Sequence, residues 1–116
     1  LRRQEISFWS VWEAGSLMGC GALKELDPHH AEIKSMRTGV AWRGRGVASH
    51  LLRFMLAEAR GRGYRRVSLE TGAGNAFRPA LRLYAKFGFT ACGPFSDYAE
   101  NGNSQFMTLN LTPSVA

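Results

Sequence analysis

The stretch "WRGRGVASHLLRF", Trp42 to Phe54, decides how the chain is read. Gly44 and Gly46 alternate with Arg43 and Arg45, and an apolar run begins at once. Val47, Leu51, Phe54, Met55 and Ala59 recur at helical spacing, which predicts an amphipathic helix over Gly46 to Arg60 with Phe54 and Met55 in the core. Upstream, "AEIKSMRT", Ala31 to Thr38, alternates Ile33 and Met36 imperfectly with polar residues and reads as a strand. A strand, a glycine-rich loop and a helix N-terminus in that order form an anion site. Free N–H groups point out of the first helical turn, and the helix dipole adds roughly half a positive charge there. Glycine lets an oxygen-rich ligand come close to the backbone, and the two arginines can add charge-assisted hydrogen bonds. This chemistry favours a phosphate or pyrophosphate.

Other readings of the same residues compete. The P-loop pattern G-x-x-x-x-G-K-[ST] is absent. The dinucleotide fingerprint G-x-G-x-x-G/A is met at Gly44 and Gly46, but Ser49 holds its third position. The loop from Thr38 to Gly44 is also too long for a tight turn straight off a strand. A basic turn with no ligand remains a third reading, and a nucleic-acid surface a fourth.

Working outward, "ISFWSVW", Ile6 to Trp12, and "LMGCGALKEL", Leu17 to Leu26, read as a hairpin around Glu13-Ala14-Gly15-Ser16. Gly19 and Gly21 inside the second strand signal a bulge or a close backbone approach. Trp9 and Trp12, at strand spacing, are assigned to the core. Asp27-Pro28-His29-His30 is a turn, with the histidines expected to cap it. "GRGY", residues 61–64, stops the long helix, and Gly61 or Gly63 supplies its left-handed cap. A strand over Arg66 to Thr71 follows. "FRPALRLYAKFG" is a second helix, with Pro79 in its first turn and Gly88 at its end. "FTACGPF" and "SQFMTLNL" are two further strands joined by the polar loop "SDYAENGN". The order β-β-β-α-β-α-β-β gives an α+β, mixed α/β fold. An antiparallel meander enters a parallel strand–helix–strand crossover, with the helices packed on the sheet.

The 116 residues suit one domain, 1–116, large enough to bury a core without disulfides or metals. The formal net charge is +6, and much of the arginine lies between Arg43 and Arg82, which fits an anionic partner of some kind. Against nucleic acid, the arginines fall on helix ends and turns, and no aromatic-basic platform is visible. Cys20 and Cys92 form no C-x-x-C pattern or Cys/His cluster, so no metal site is expected. No stretch looks like a signal peptide, and no apolar run nears the roughly 18 residues of a membrane span. A cytoplasmic protein with two reduced thiols is the expectation.

Two segments together resemble a known family. Arg43-Gly44-Arg45-Gly46-Val47-Ala48 is similar to the R/Q-x-x-G-x-G/A signature of the GNAT superfamily, the GCN5-related N-acetyltransferases. "LRLYAKFGF", Leu81 to Phe89, looks like that family's L-Y-x-K-x-G-F segment. The resemblance covers about residues 6–112, and both segments with a strand between them are a strong signal. "EIKSM", "LETG" and "GPFSDYAEN" further resemble one bacterial subgroup. The family usually places a strand and one or two helices before the meander. Here about five residues precede it, so the chain is expected to be a fragment or to have that wall supplied otherwise, as by a partner subunit.

The resemblance implies acetyl-CoA as donor, no metal, and an amine acceptor: a small molecule or amino acid, a protein N-terminus, or a lysine. It implies that the pyrophosphate lies on the backbone N–H groups of Arg43, Gly44, Arg45, Gly46, Val47 and Ala48, with the Ser49 hydroxyl added. The strand end Met36-Arg37-Thr38 would pair with the pantetheine arm, and the third and fourth strands would splay to admit the thioester. Glu32 matches the register of the family's glutamate base, and Glu70 is a second candidate across the cleft. Tyr84 aligns with the tyrosine that can protonate the leaving sulfur. Asn75 lies near the family's CoA-contacting asparagine, although the usual spacing falls on Phe77. Asp97, Tyr98, Asn101 and Ser104 sit on the loop that borders the acceptor. Homodimers are common in the family. A catalytically silent acyl-CoA-binding domain, and less favoured a basic nucleic-acid module, are the alternatives.

Overall fold

A computed structural model describes residues 6–111. The five residues before them, and Thr112 at the far end of the resemblance, lie outside the described residues. Six strands form one mixed sheet in the order β1-β2-β3-β4-β6-β5. These are β1 (Ile6–Glu13), β2 (Ser16–Asp27), β3 (His30–Thr38), β4 (Arg66–Gly72), β5 (Thr90–Cys92) and β6 (Ser104–Asn110). Two helices, α1 (Val47–Gly61) and α2 (Arg78–Lys86), are each preceded by a short 3₁₀ turn, Val40–Trp42 and Asn75–Phe77. Strands β1 to β3 are an antiparallel meander, β3 and β4 run parallel, and β6 is antiparallel to both β4 and β5.

One core joins sheet and helices. Helix α1 buries Val47, Leu51, Leu52, Met55, Leu56 and Ala59, one stripe at helical spacing. All of these but Val47 pack with Leu23, Ile33, Val67, Leu69 and Tyr84. Leu52 and Met55 are fully enclosed, so truncating Leu52 to alanine is worth about 2–5 kcal/mol of stability. The glycines of β2 act through close approach. A Cβ on Gly21 would stand 2.7 Å from the Met36 sulfur and 2.8 Å from that of Met55. The helix therefore lies against bare backbone at this point.

Several local expectations are corrected. Phe54 is exposed: it sits beside the buried stripe, edge-on to Trp9 at 5.8 Å. Trp12 is also exposed, because it falls on the outer face of β1 with Ile6 and Phe8, whereas Trp9 and Val11 turn toward the core. The histidines do not cap their turn. The Asp27 carboxylate accepts the His29 N–H at 2.7 Å, and His30 instead meets the Ser68 hydroxyl at 2.7 Å. The strand read over Phe89 to Phe95 holds only Thr90–Cys92, since Gly93 and Pro94 end the pairing with β6. Gly63, at φ +86°, closes the α1 terminus.

Candidate active site

The site begins where β3 and β4 part. Their parallel pairing runs from His30↔Arg66 to Ile33↔Leu69 and stops. Beyond it, residues 34–38 remain paired to β2 on one side, while β4 turns to β6. Between them opens a cleft of about 400 Å³. Its β3 wall carries Glu32, Lys34, Met36 and Arg37, its β4 wall Glu70, Thr71 and Gly72, and Phe77, Tyr84 and Tyr98 close it from the 3₁₀ turn, α2 and the last loop.

Glu32 is almost completely buried, yet on the cleft wall. Its carboxylate accepts the Tyr98 O–H at 2.6 Å and lies 3.7 Å from the Lys34 ammonium. Lys34 also donates to the Tyr98 hydroxyl at 3.1 Å. The hydrogen bond to Tyr98 and the charge of Glu32 hold the Lys34 pKa above its ordinary value, so the ammonium stays charged at neutral pH. Burial, and then donation to Glu32, raise the Tyr98 pKa, so its hydroxyl remains a donor. Glu70 is exposed and accepts the Ser104 hydroxyl at 2.6 Å.

Tyr84 is buried, stacked edge-on to Phe89 at 5.5 Å, and burial pushes its pKa up to about 12. No hydrogen bond ties its hydroxyl to another described residue, so the group is available to the cleft it lines.

The loop from Val40 to Gly46 lies beyond the end of β3. Gly44 and Gly46 take φ of +74° and +83°, conformations that side-chain-bearing residues adopt only with strain. None of the backbone N–H groups of Gly44 to Ser49 has a partner among the described residues. That of Arg43 is turned inward to the Val40 carbonyl at 3.4 Å, so the open donor set starts one residue later than the motif suggests. Arg45 is exposed and its guanidinium lies 4.7 Å over the Trp42 ring. Arg43 is exposed as well, and Val47 is buried, so Val47 can offer only its backbone.

Six of the residues proposed from sequence are brought together in the cleft. Glu32, Met36, Arg37, Glu70, Tyr84 and Tyr98 share the cleft, and Thr38 leads from it to the glycine loop. Others stand apart. Asn75 is exposed in its 3₁₀ turn and is not on the cleft wall, whereas Phe77 is. Asp97 is exposed on the last loop. Asn101 serves that loop's own turn, accepting the Asn103 N–H at 2.8 Å. Sequence reasoning missed Lys34, although its i+2 spacing from Glu32 put both on one face of a strand. It also missed the support of Phe77, whose ring lies where a Cβ on Gly72 would be. Among the described residues, no group of three or more His, Cys, Asp or Glu side chains is placed to hold a metal ion.

Comparison with known proteins gives first the class: an acyltransferase. More closely, the chain belongs to the GNAT acetyltransferase family, whose model matches residues 1–89. It is 56% identical to the uncharacterized N-acetyltransferase YsnE of Bacillus subtilis over 96% of this chain and 74% of that protein. It is 49% identical to the uncharacterized N-acetyltransferase YedL of Escherichia coli over 96% of this chain and 70% of that protein. Among solved structures, a GNAT family acetyltransferase from Elizabethkingia anophelis with acetyl-CoA bound superimposes with a TM-score of 0.74 at 22% identity, covering 89% of this chain and 74% of the other. At that identity the likeness speaks for the fold.

Proposed function

We propose that the protein transfers an acetyl group from acetyl-CoA to an amine by direct attack within a ternary complex. One observation carries this reading: β3 and β4 cease to pair after Ile33↔Leu69, a buried carboxylate lines the opening, and β3 runs on through Thr38 to a loop of unpartnered N–H groups. The loop from Gly44 to Ser49 takes the pyrophosphate, where several N–H dipoles converge on one anion. The unpaired side of residues 34–38 takes the pantetheine arm, in the way a strand would.

An amine with an ordinary pKa near 10.4 is almost wholly protonated at neutral pH and cannot attack until a proton leaves. Glu32 takes that proton, directly or through the Tyr98 hydroxyl that already donates to it. The nitrogen then bonds to the thioester carbonyl carbon, the C–S bond breaks, the sulfur departs as thiolate, and the second proton on the nitrogen passes to water. Tyr84 suits the leaving sulfur as a hydrogen-bond donor. A phenol held at about 12 keeps its proton more firmly than a thiol of ordinary pKa near 8.5, so full transfer to the thiolate runs uphill. Tyr84 therefore steadies the thiolate, which gains its proton from water on release.

The test is release of free CoA thiol from acetyl-CoA in the presence of a panel of primary amines, followed across pH. Wild type is expected to turn over at least one class of amine. Glu32→Gln is expected to lose about 10²–10⁴-fold in kcat, the usual range for a removed general base. A Glu32→Gln protein of full activity removes Glu32 as base. Absence of thiol release with every amine removes the transfer itself.

A further inference from the structure

Strand β3 contains one residue more than its partner requires. Cys20 faces Arg37 and Ala22 faces Lys34, so one residue of β2 is spanned by two of β3. The extra length is taken up at Ser35, which adopts φ +58°, a value rare in a strand for any residue but glycine. The bulge changes which face the next side chains occupy. Directly paired residues of antiparallel strands share a face. Lys24↔Glu32, Ala22↔Lys34 and Cys20↔Arg37 therefore place Glu32, Lys34 and Arg37 in one row. Without the bulge Arg37 would share the face of Ile33 and point toward the helices. Met36 takes that side instead, its sulfur beside Gly21 and Met55.

All three residues of the row line the cleft, on the side of the sheet away from α1. Their charges do not balance. Glu32 is already shared by Tyr98 and Lys34. Arg37 is exposed and makes no ion pair with another described residue. The cleft's other carboxylate, Glu70, stands on the opposite wall and is engaged by Ser104. The β3 wall therefore presents two cations for one carboxylate, next to the group that must receive an ammonium's proton. An acceptor whose only charge is its ammonium finds no surplus of negative charge on that wall, Glu70 being across the cleft. An acceptor that also carries an anion is matched at both ends.

We propose that the acceptor is an amine bearing a carboxylate, an amino acid or a close analogue, and that Lys34 and Arg37 form its carboxylate-binding pair. This rests on the acyl-transfer reading above. The planar guanidinium of Arg37 suits two-point binding of a carboxylate, and the Lys34 ammonium has donor capacity beyond its bond to Tyr98. The carboxylate held on this pair keeps the amine within reach of Glu32. The chemical step is unchanged: an N–C bond forms, the C–S bond breaks, and the amine proton passes to Glu32.

The test compares L-α-amino acids and β-alanine with their primary amides and with the matching decarboxylated amines, measured by thiol release. A carboxylate next to an amine stabilises its ammonium, so amides hold more of the reactive neutral form. A preference for the acids must therefore come from the site. The acids are expected to exceed their amides in kcat/KM by about tenfold or more, the scale of a hydrogen-bonded charge pair. Arg37→Gln is expected to pull that ratio toward one, through KM for the acid, with KM for acetyl-CoA little changed. Equal use of amides or plain amines overturns the proposal. So does an Arg37→Gln effect confined to acetyl-CoA, which would assign the side chain to the cofactor. A second arm needs no turnover: calorimetry of N-acetyl amino acids against N-acetyl amino acid amides on CoA-loaded protein. Selective binding of the acids supports the carboxylate pair even where thiol release fails and the transfer reading falls. No selectivity overturns the pair even where transfer succeeds.

Discussion

Replacing Gly46 by alanine tests whether the glycine loop binds through its backbone. Gly46 sits at φ +83°, ψ 5°, as the residue before α1. A Cβ there would meet nothing within 4 Å, so the substitution is not a clash. Its cost is conformational, about 1–2 kcal/mol for an L-residue held in the left-handed region. The loop can relieve that strain by rotating the peptide, and the rotation turns N–H groups away from the pyrophosphate. One such donor to a charged acceptor is worth about 1.5–3 kcal/mol, or roughly 10–150-fold in Kd. Arg45 offers the contrast. Its side chain is exposed and rests on Trp42, so its loss should cost no more than about 1 kcal/mol, near fivefold, and less at high salt. Calorimetric titration of acetyl-CoA into both variants should therefore rank Gly46→Ala well below Arg45→Ala. If Arg45→Ala binds as weakly as Gly46→Ala or worse, side-chain charge does the holding and the backbone argument is wrong.

Three further outcomes are expected. Tyr98→Phe leaves the buried Glu32 carboxylate without its 2.6 Å donor and should cost about 1.5–3 kcal/mol in denaturant unfolding, with kcat falling as well; unchanged stability and rate would separate Tyr98 from the base. Gly72→Ala must displace the Phe77 ring from the cleft wall, so KM for acetyl-CoA or acceptor should rise while the far-UV spectrum stays native; a KM like that of wild type would mean the ring plays no part. The His30 pKa is lowered by burial and by the Arg66 charge, with Asp27 opposing, so below its ordinary 6.5 the unfolded chain binds more protons than the folded one. Stability attributable to His30 should thus be complete above about 6.5 and decline as pH falls through that window, and the thermal midpoint of wild type should drop more steeply on acidification than that of His30→Gln.

The fold was legible because its elements are marked by local chemistry. The apolar stripe of α1, the paired glycines before it, Pro79 in the first turn of α2 and the turn residues between strands each act within a few residues of sequence. The cleft was half legible. Glu32, Tyr84 and the glycine loop stand in motif registers, and Tyr98 belonged to a loop expected to border the acceptor. The bond from Tyr98 to Glu32 was not readable, since it joins residues 66 apart through a loop without regular structure. The bulge at Ser35 had only one trace in the sequence, the imperfect alternation of Ile33 and Met36. No glycine announces it, so the common face of Glu32, Lys34 and Arg37 emerges only from strand register. Phe54 and Trp12 were misjudged for a related reason: periodicity gives a stripe or a face, and tertiary packing decides how wide the covered part is.

The central claim is that acetyl-CoA lies along the loop from Gly44 to Ser49 and enters between β3 and β4. Backbone amide resonances followed during titration with acetyl-CoA test it most directly. The account predicts that the largest shifts fall on residues 44–49 and on 34–38, with β1 nearly still. Shifts concentrated elsewhere, or none at millimolar acetyl-CoA, contradict it.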